Sequence, residues 1–172
     1  MNTIEAINNR HSYRGKYKSI PVPREDLTKI MQAGLAAPSG CNKQTTSLIA
    51  VDDPVVLEKL HRIINPPVGE TAPAMICVLT QRINAYRDKC FAVQDYSAAI
   101  ENMLLAIIEM GYQSCWYEGW KKSLSVNVHG SIYFQQQSDS FQFVNFSHIP
   151  LSFFCKQEQA EYAIIMIFYP ND

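Results

Sequence analysis

A layered α/β or α+β domain is predicted by three features of the sequence. Helical patterns alternate with short apolar runs in the order helix, helix, strand, helix, strand, helix, strand and a late strand. The runs "SLIAV" (47–51), "AMICVLT" (74–80) and "EYAIIMIFYP" (161–170) are almost continuously apolar, as strands buried on both faces are. The pattern "DYSAAIENMLLAIIEMG" (95–111) is apolar over more than one face, which marks a central helix.

Each element has its local cause. Asn2 and Glu5 form a capping pair for a short helix to about Asn9, with Ile4 and Ile7 facing in. The two prolines of "SIPVPREDL" hold an extended entry, and Glu25 and Asp26 suit the positive end of the next helix dipole. Leu27, Ile30, Met31, Gly34 and Leu35 follow at helical spacing until Pro38 ends the pattern. Asp53 and Pro54 make an N-cap and first-turn pair for a helix carrying Val56, Leu57, Leu60, Ile63 and Ile64. "NPPVGETAP" is a loop before the second strand. The long helix is expected from about Tyr86 to Met110, with Gly111 as the left-handed residue that closes it. "YQSCWYEGW" then leaves as a strand and loop.

Gross properties exclude several functions. The 172 residues, 47% hydrophobic and 18% charged, suffice for one globular domain with a real core. A net charge of −1 leaves no basic excess to track nucleic-acid phosphates. No segment has the run of about 18 apolar residues needed to span a bilayer, and "MNTIEAINNR" has no basic-then-apolar signal pattern. Five cysteines (41, 77, 90, 115, 155) contain no C-x-x-C pair, which fits reduced thiols in a cytoplasm. The four histidines lack metal-binding spacing, so no metal is expected. Neither G-x-G-x-x-G nor a P-loop occurs.

The window 123–155 departs in style from everything before it. It holds one charged residue, Asp139, and six of the eight phenylalanines among many Ser, Gln and Asn. Partial period-2 alternation in "GSIYFQQQSDSFQFVNF" suggests a polar-faced strand or hairpin.

Three constellations could carry chemistry. "NRHSYRGK" (9–16) sets Arg10, His11, Ser12 and Arg14 just past a helix, as a phosphate clamp or a basic helix exit bonded to nearby carboxylates. In "LAAPSGCNKQ" (35–44), Pro38 fixes φ and Gly40 permits close backbone approach, while Ser39, Asn42 and Gln44 offer neutral donors and acceptors. That loop suits the hydroxyls and heterocyclic edge of a cofactor, or is an Asx-type turn before a strand. "SCWYEGW" (114–120) flanks Glu118 and Gly119 with two tryptophans and a tyrosine, as a ligand loop or as aromatic core beside a tight turn. Asp95, Glu101 and Asn102 read as structural residues of the long helix, and Cys41 lacks a basic partner that would make it a nucleophile.

Taken in order, "INNRHSYR" (7–14), "AAPSGCNKQ" (36–44) and "DYSAAIENMLLAIIEMGYQSCWYEGW" (95–120), with "EYAIIMIFYP" more weakly, resemble the nitroreductase family of FMN-dependent oxidoreductases. The resemblance implies an α+β three-layer sandwich over residues 1–172, with a central mixed, largely antiparallel sheet flanked by helices. It also implies an intertwined homodimer with FMN at the interface. By the same resemblance, Arg10, His11 and Ser12 would meet the FMN phosphate and ribityl chain, and Arg14 the pyrimidine edge. Pro38, Ser39, Gly40 and Asn42 would come from the partner subunit, and backbone around Glu118 and Gly119 would face the N5/O4 edge. NADH or NADPH would reduce the FMN, which would then reduce nitroaromatic, quinone or similar electron-poor acceptors in a ping-pong cycle. Family members commonly carry a basic residue beyond the last strand, whereas this sequence ends "YPND". The expectation is weaker FMN binding, and the alternative is an FMN-binding protein with little turnover.

Overall fold

The computed structural model describes residues 1–62, 69–117, 127–136, 145–150 and 160–168, the last three as strand backbone. In chain order the elements are α1 (Thr3–Asn9), α2 (Arg24–Leu35), a 3-10 turn (Gly40–Asn42), β1 (Ser47–Val51), α3 (Pro54–His61), β2 (Ala74–Gln81), α4 (Ala92–Glu109), β3 (Gln113–Tyr117), β4 (Asn127–Gln136), β5 (Asn145–Pro150) and β6 (Ala160–Phe168).

The helix signals in the sequence act as expected. Asn2 Oδ1 accepts from the Glu5 N–H while Glu5 reaches back to the Asn2 N–H, closing a reciprocal cap on α1. Asp53 accepts from the N–H groups of Val55 and Val56, and Pro54 opens α3. Gly111 takes φ of 81° just past α4, the left-handed exit that glycine adopts without strain.

Six strands make one sheet in the order β3-β6-β2-β1-β4-β5. All five strand pairings are antiparallel. A parallel bridge between Ser12 and Ser114 adds the N-terminal segment beside β3. The period of two divides the inner strands between two cores. Leu48 and Ala50 of β1 join Ala74, Ile76 and Val78 of β2 against α2 and α4. Ile49 and Val51 turn the other way, with Met75, onto Val56, Leu57 and Leu60 of α3. The result is helix, sheet and helix in three layers. Of the largest fully buried side chains, all but Met75 lie on the α2/α4 side, so that layer carries more of the core. Each such residue contributes roughly 1.5–3 kcal/mol of apolar burial.

Two expectations need correction. The long helix starts at Ala92 instead of near Tyr86. Residues 85–89 form a tight turn in which Tyr86 and Lys89 exchange backbone hydrogen bonds and Arg87 takes φ of 55°. A left-handed residue there stops a helix from forming. Ile4 and Ile7 do not face in: they are 65% and 48% exposed, and Ala6 is the buried residue of α1. Seven residues bring only one narrow stripe onto α4, and the small alanine occupies it.

In the atypical window, β4 pairs with both β1 and β5, so the strand-or-hairpin reading holds for the backbone. Glu118, Gly119, Ile63 and Ile64 lie outside the described residues.

Candidate functional site

The first constellation is held by the edge of the sheet. After α1 the Tyr13 N–H donates to the Ser114 carbonyl at 2.9 Å, laying residues 12–13 along β3. Behind them Tyr17 packs against the Tyr13 ring, with centroids 5.3 Å apart, and its hydroxyl donates to the Tyr13 carbonyl at 3.1 Å. Burial, together with Cys115 and Tyr13, pushes the Tyr17 phenol up to about 12, while the Arg14 guanidinium opposes that rise. Burial likewise raises the Cys115 thiol, again against Arg14. The Arg14 guanidinium is thus near enough to Tyr17 and Cys115 to act on both.

The residues aimed outward are the chemically active ones. His11, Ser12 and Arg14 are exposed, and Arg10 is half-buried. Arg10 Nε lies 3.4 Å from Glu101 Oε1 on α4, which fixes its stem. His11 Nδ1 donates to the Asn9 carbonyl at 2.9 Å, so its Nε2 is turned to the other side of the ring. Among the described residues Arg14 has no acidic partner. The four side chains present two cations, a hydroxyl and an imidazole over a span of five residues, a donor set suited to an anion.

The loop at 38–44 is built differently, under backbone strain. Cys41, Asn42 and Gln44 all take φ near +50°, at 52°, 52° and 51°. Each left-handed non-glycine costs on the order of 1 kcal/mol, so the surroundings must hold the loop. Ser39 Oγ accepts from the Gln44 N–H at 3.0 Å, and Gln44 Nε2 donates to Asn42 Oδ1 at 3.1 Å. Asp95 of α4 accepts from the Gly40 N–H at 2.8 Å. A Cβ at Gly40 would lie 2.4 Å from the Phe91 ring, so glycine is required there for packing on the start of α4. The Phe91 ring therefore packs directly against Gly40. The Asn42 and Gln44 side chains stay exposed, and Ser39 is half-exposed.

In the sequence Asp95 has the look of an ordinary structural position on the long helix. It is 5% exposed, and its partner Gly40 lies 55 residues earlier. The only local signal was an acid in an apolar helical stripe.

Arg10 and Gly40 both reach α4, at Glu101 and Asp95 respectively. Six helical positions separate those contacts, about 9 Å of rise and roughly 120° of rotation. One chain thus presents its cation cluster and its polar loop on different sides of the same helix.

Comparison with known proteins gives a consistent family. The nitroreductase family model matches residues 7–66 and 61–132. A protein of Methanothermobacter thermautotrophicus, with the provisional name NADH dehydrogenase/NAD(P)H nitroreductase, is 31% identical over 141 residues, 75% of this chain and 72% of that one. Among solved structures, a nitroreductase family protein from Clostridium novyi NT superposes with a TM-score of 0.73 at 18% identity, over 100% of this chain and 87% of that one. A Bacteroides fragilis nitroreductase with bound FMN superposes with a TM-score of 0.66 at 25% identity, over 99% of this chain and 89% of that one. This chain belongs to the nitroreductase family.

Proposed function

We propose that this chain is an FMN-dependent oxidoreductase that takes electrons from NADH or NADPH and delivers them to nitroaromatic, quinone or similar electron-poor small molecules by a ping-pong cycle. The observation that carries the reading is the pairing, in a nitroreductase-family chain, of an outward cation and hydroxyl cluster at 10–14 with a strained polar loop at 38–44. Both fit the group chemically. The first offers charge-assisted donors for a phosphate, and the second offers neutral amide and hydroxyl groups for a ribityl chain and ring edge.

Bound FMN supplies a carrier that can accept a hydride and give it up again. The protein's part is positioning and electrostatics. Arg10, held by Glu101, and the hydroxyl of Ser12 would neutralise and orient the phosphate end, with His11 beside them. Arg14 would stabilise negative charge at the pyrimidine edge of the reduced ring. Ser39, Asn42 and Gln44, beside Pro38 and Gly40, would fix the ribityl chain and ring from the partner subunit. Glu118 and Gly119 would meet the hydride-accepting edge through their backbone.

The different sides of α4 occupied by Arg10 and Gly40 support a site completed by two chains of a homodimer. Met1, Ile4 and Ile7, each about half exposed or more, leave α1 with an apolar face such an assembly could cover. We read residues 1–172 as one domain acting on small molecules, with no role for nucleic acid. No helix among the described residues is long and apolar enough to cross a membrane. A reduced cytoplasmic setting suits Cys41, Cys77, Cys90 and Cys115, which are all free.

An absorbance experiment tests the proposal. Purified protein should be yellow or take up added FMN, and NADH or NADPH should bleach it, with colour restored by a quinone or nitroaromatic. Yellow protein that neither nucleotide bleaches overturns the reductase reading in favour of a flavin binder. Colourless protein that takes up no FMN overturns both.

A further inference from the structure

The structure assigns Asp95 as a positioning residue: its carboxylate, held on the first turns of α4, sets the shape of the 38–45 loop before FMN arrives. This rests on the flavin reading above and extends it to a residue that does not itself touch the cofactor.

The geometry has three parts. Asp95 Oδ1 accepts from the Gly40 N–H at 2.8 Å, a short bond to a backbone group just before the left-handed residues. Asp95 Oδ2 receives the Thr45 hydroxyl at 3.5 Å, at the outer limit of a hydrogen bond. Thr45 Oγ1 lies 3.2 Å from Thr80 Oγ1 on β2. Donor accounting sets the direction of that relay: a carboxylate only accepts, so Thr45 donates to Asp95 and Thr80 donates to Thr45. One acid thereby ties both ends of the strained segment, Gly40 and Thr45, to the helix and to the central sheet.

The three left-handed residues, Cys41, Asn42 and Gln44, fall between those two anchors. Ser39, immediately before the first anchor, bonds back to Gln44 across the same segment. Asp95 is 5% exposed and the Phe91 ring packs against Gly40, so the anchor is shielded from water. A charge-assisted bond in such a site is stronger than a neutral one. A loop shaped in advance binds its ligand without the cost of ordering it, so loss of the anchor is felt as weaker FMN affinity.

The test uses FMN fluorescence titration and amide exchange on protein labelled at glycine, where seven glycines give a sparse spectrum. In wild-type protein free of flavin, the Gly40 amide should exchange slowly; fast exchange before FMN is added overturns the proposal without any variant. Asp95→Ala should weaken FMN binding by about ten- to a hundredfold and unprotect Gly40, while kcat at saturating FMN changes little. Asp95→Asn keeps the Oδ1 acceptor, and its affinity should return most of the way to wild type. Equal FMN affinity in wild type and Asp95→Ala overturns the positioning role. Loss of FMN affinity in Asp95→Asn equal to that in Asp95→Ala does so too. Wild-type protein that takes up no FMN overturns the flavin reading itself, and the Gly40 amide still reports separately whether the carboxylate holds the loop.

Discussion

The Tyr112 hydroxyl donates to Asp26 Oδ2 across 2.6 Å, joining the residue that leads into β3 to the first turn of α2, 86 positions earlier. Tyr112 is 2% exposed, so its phenol has no water to fall back on. Tyr112→Phe removes a hydrogen bond to a carboxylate and should lower stability by about 1.5 kcal/mol. Denaturant unfolding should show the midpoint shifted with its slope unchanged. An unchanged midpoint rules out any net contribution from the pair.

Gly34 packs α2 tightly against Met103 of α4. A Cβ there would lie 2.7 Å from Met103 Cγ, 2.9 Å from Met103 Sδ and 3.2 Å from Leu48 Cδ1. Alanine favours a helix over glycine by about 1 kcal/mol, but Met103 is fully buried, so any shift it makes disturbs the packing around it. Gly34→Ala should therefore destabilise, by about 1–2 kcal/mol once propensity and overpacking are set against each other. Adding Met103→Ala opens the space. The double variant should lose less stability than the two single losses combined, which a double-mutant cycle measures.

His61, in the last turn of α3, is half-buried with no partner for Nε2 among the described residues. Desolvation holds the imidazole below its usual 6.5, and Glu70 opposes the shift. The unfolded chain therefore binds more protons than the folded one in the window just below 6.5, so stability must fall as pH drops through it. The stabilisation is fully present above 6.5 and is lost as pH falls through the depressed folded value. Urea unfolding at pH 7.5 and pH 5 should show the loss, and His61→Asn should make it shallower.

Arg14 makes the complementary functional prediction. It is exposed, so Arg14→Ala should leave the melting of flavin-free protein within about 0.5 kcal/mol of wild type. FMN affinity should fall by one to two decades if the guanidinium meets the ring edge, as a charged hydrogen bond implies. Arg14→Lys should recover part of it, because a point charge replaces a fork of donors. Fluorescence titration reads all three.

Much of the fold was legible because its signals are local. "SLIAV" gave β1 at its observed bounds, and Asp53-Pro54 gave the start of α3. What escaped depends on distance in sequence. Nothing near residue 86 announced that Arg87 would turn left-handed and delay α4. Nothing near Ile4 said that Ala6 would be the buried residue of α1. The site divides the same way. Arg10, His11, Ser12 and Arg14 were visible as a cluster of charge and hydroxyl. The reason for Gly40, a Phe91 ring 51 positions later, and the acid at 95 that receives its amide became visible only in three dimensions.

The place of β6 has a consequence for how the molecule comes into being. The last strand among the described residues, 160–168, lies inside the sheet between β2 and β3, not at its rim. Until it is synthesised, β2 lacks one neighbour and β3 has none among the strands, so their amide edges stand open to any other chain. The core against α2 and α4 can gather early, but the layer that sets β3 beside Ser12 waits for residues 160–168. A stop codon before residue 160 should therefore yield aggregates, not a smaller enzyme.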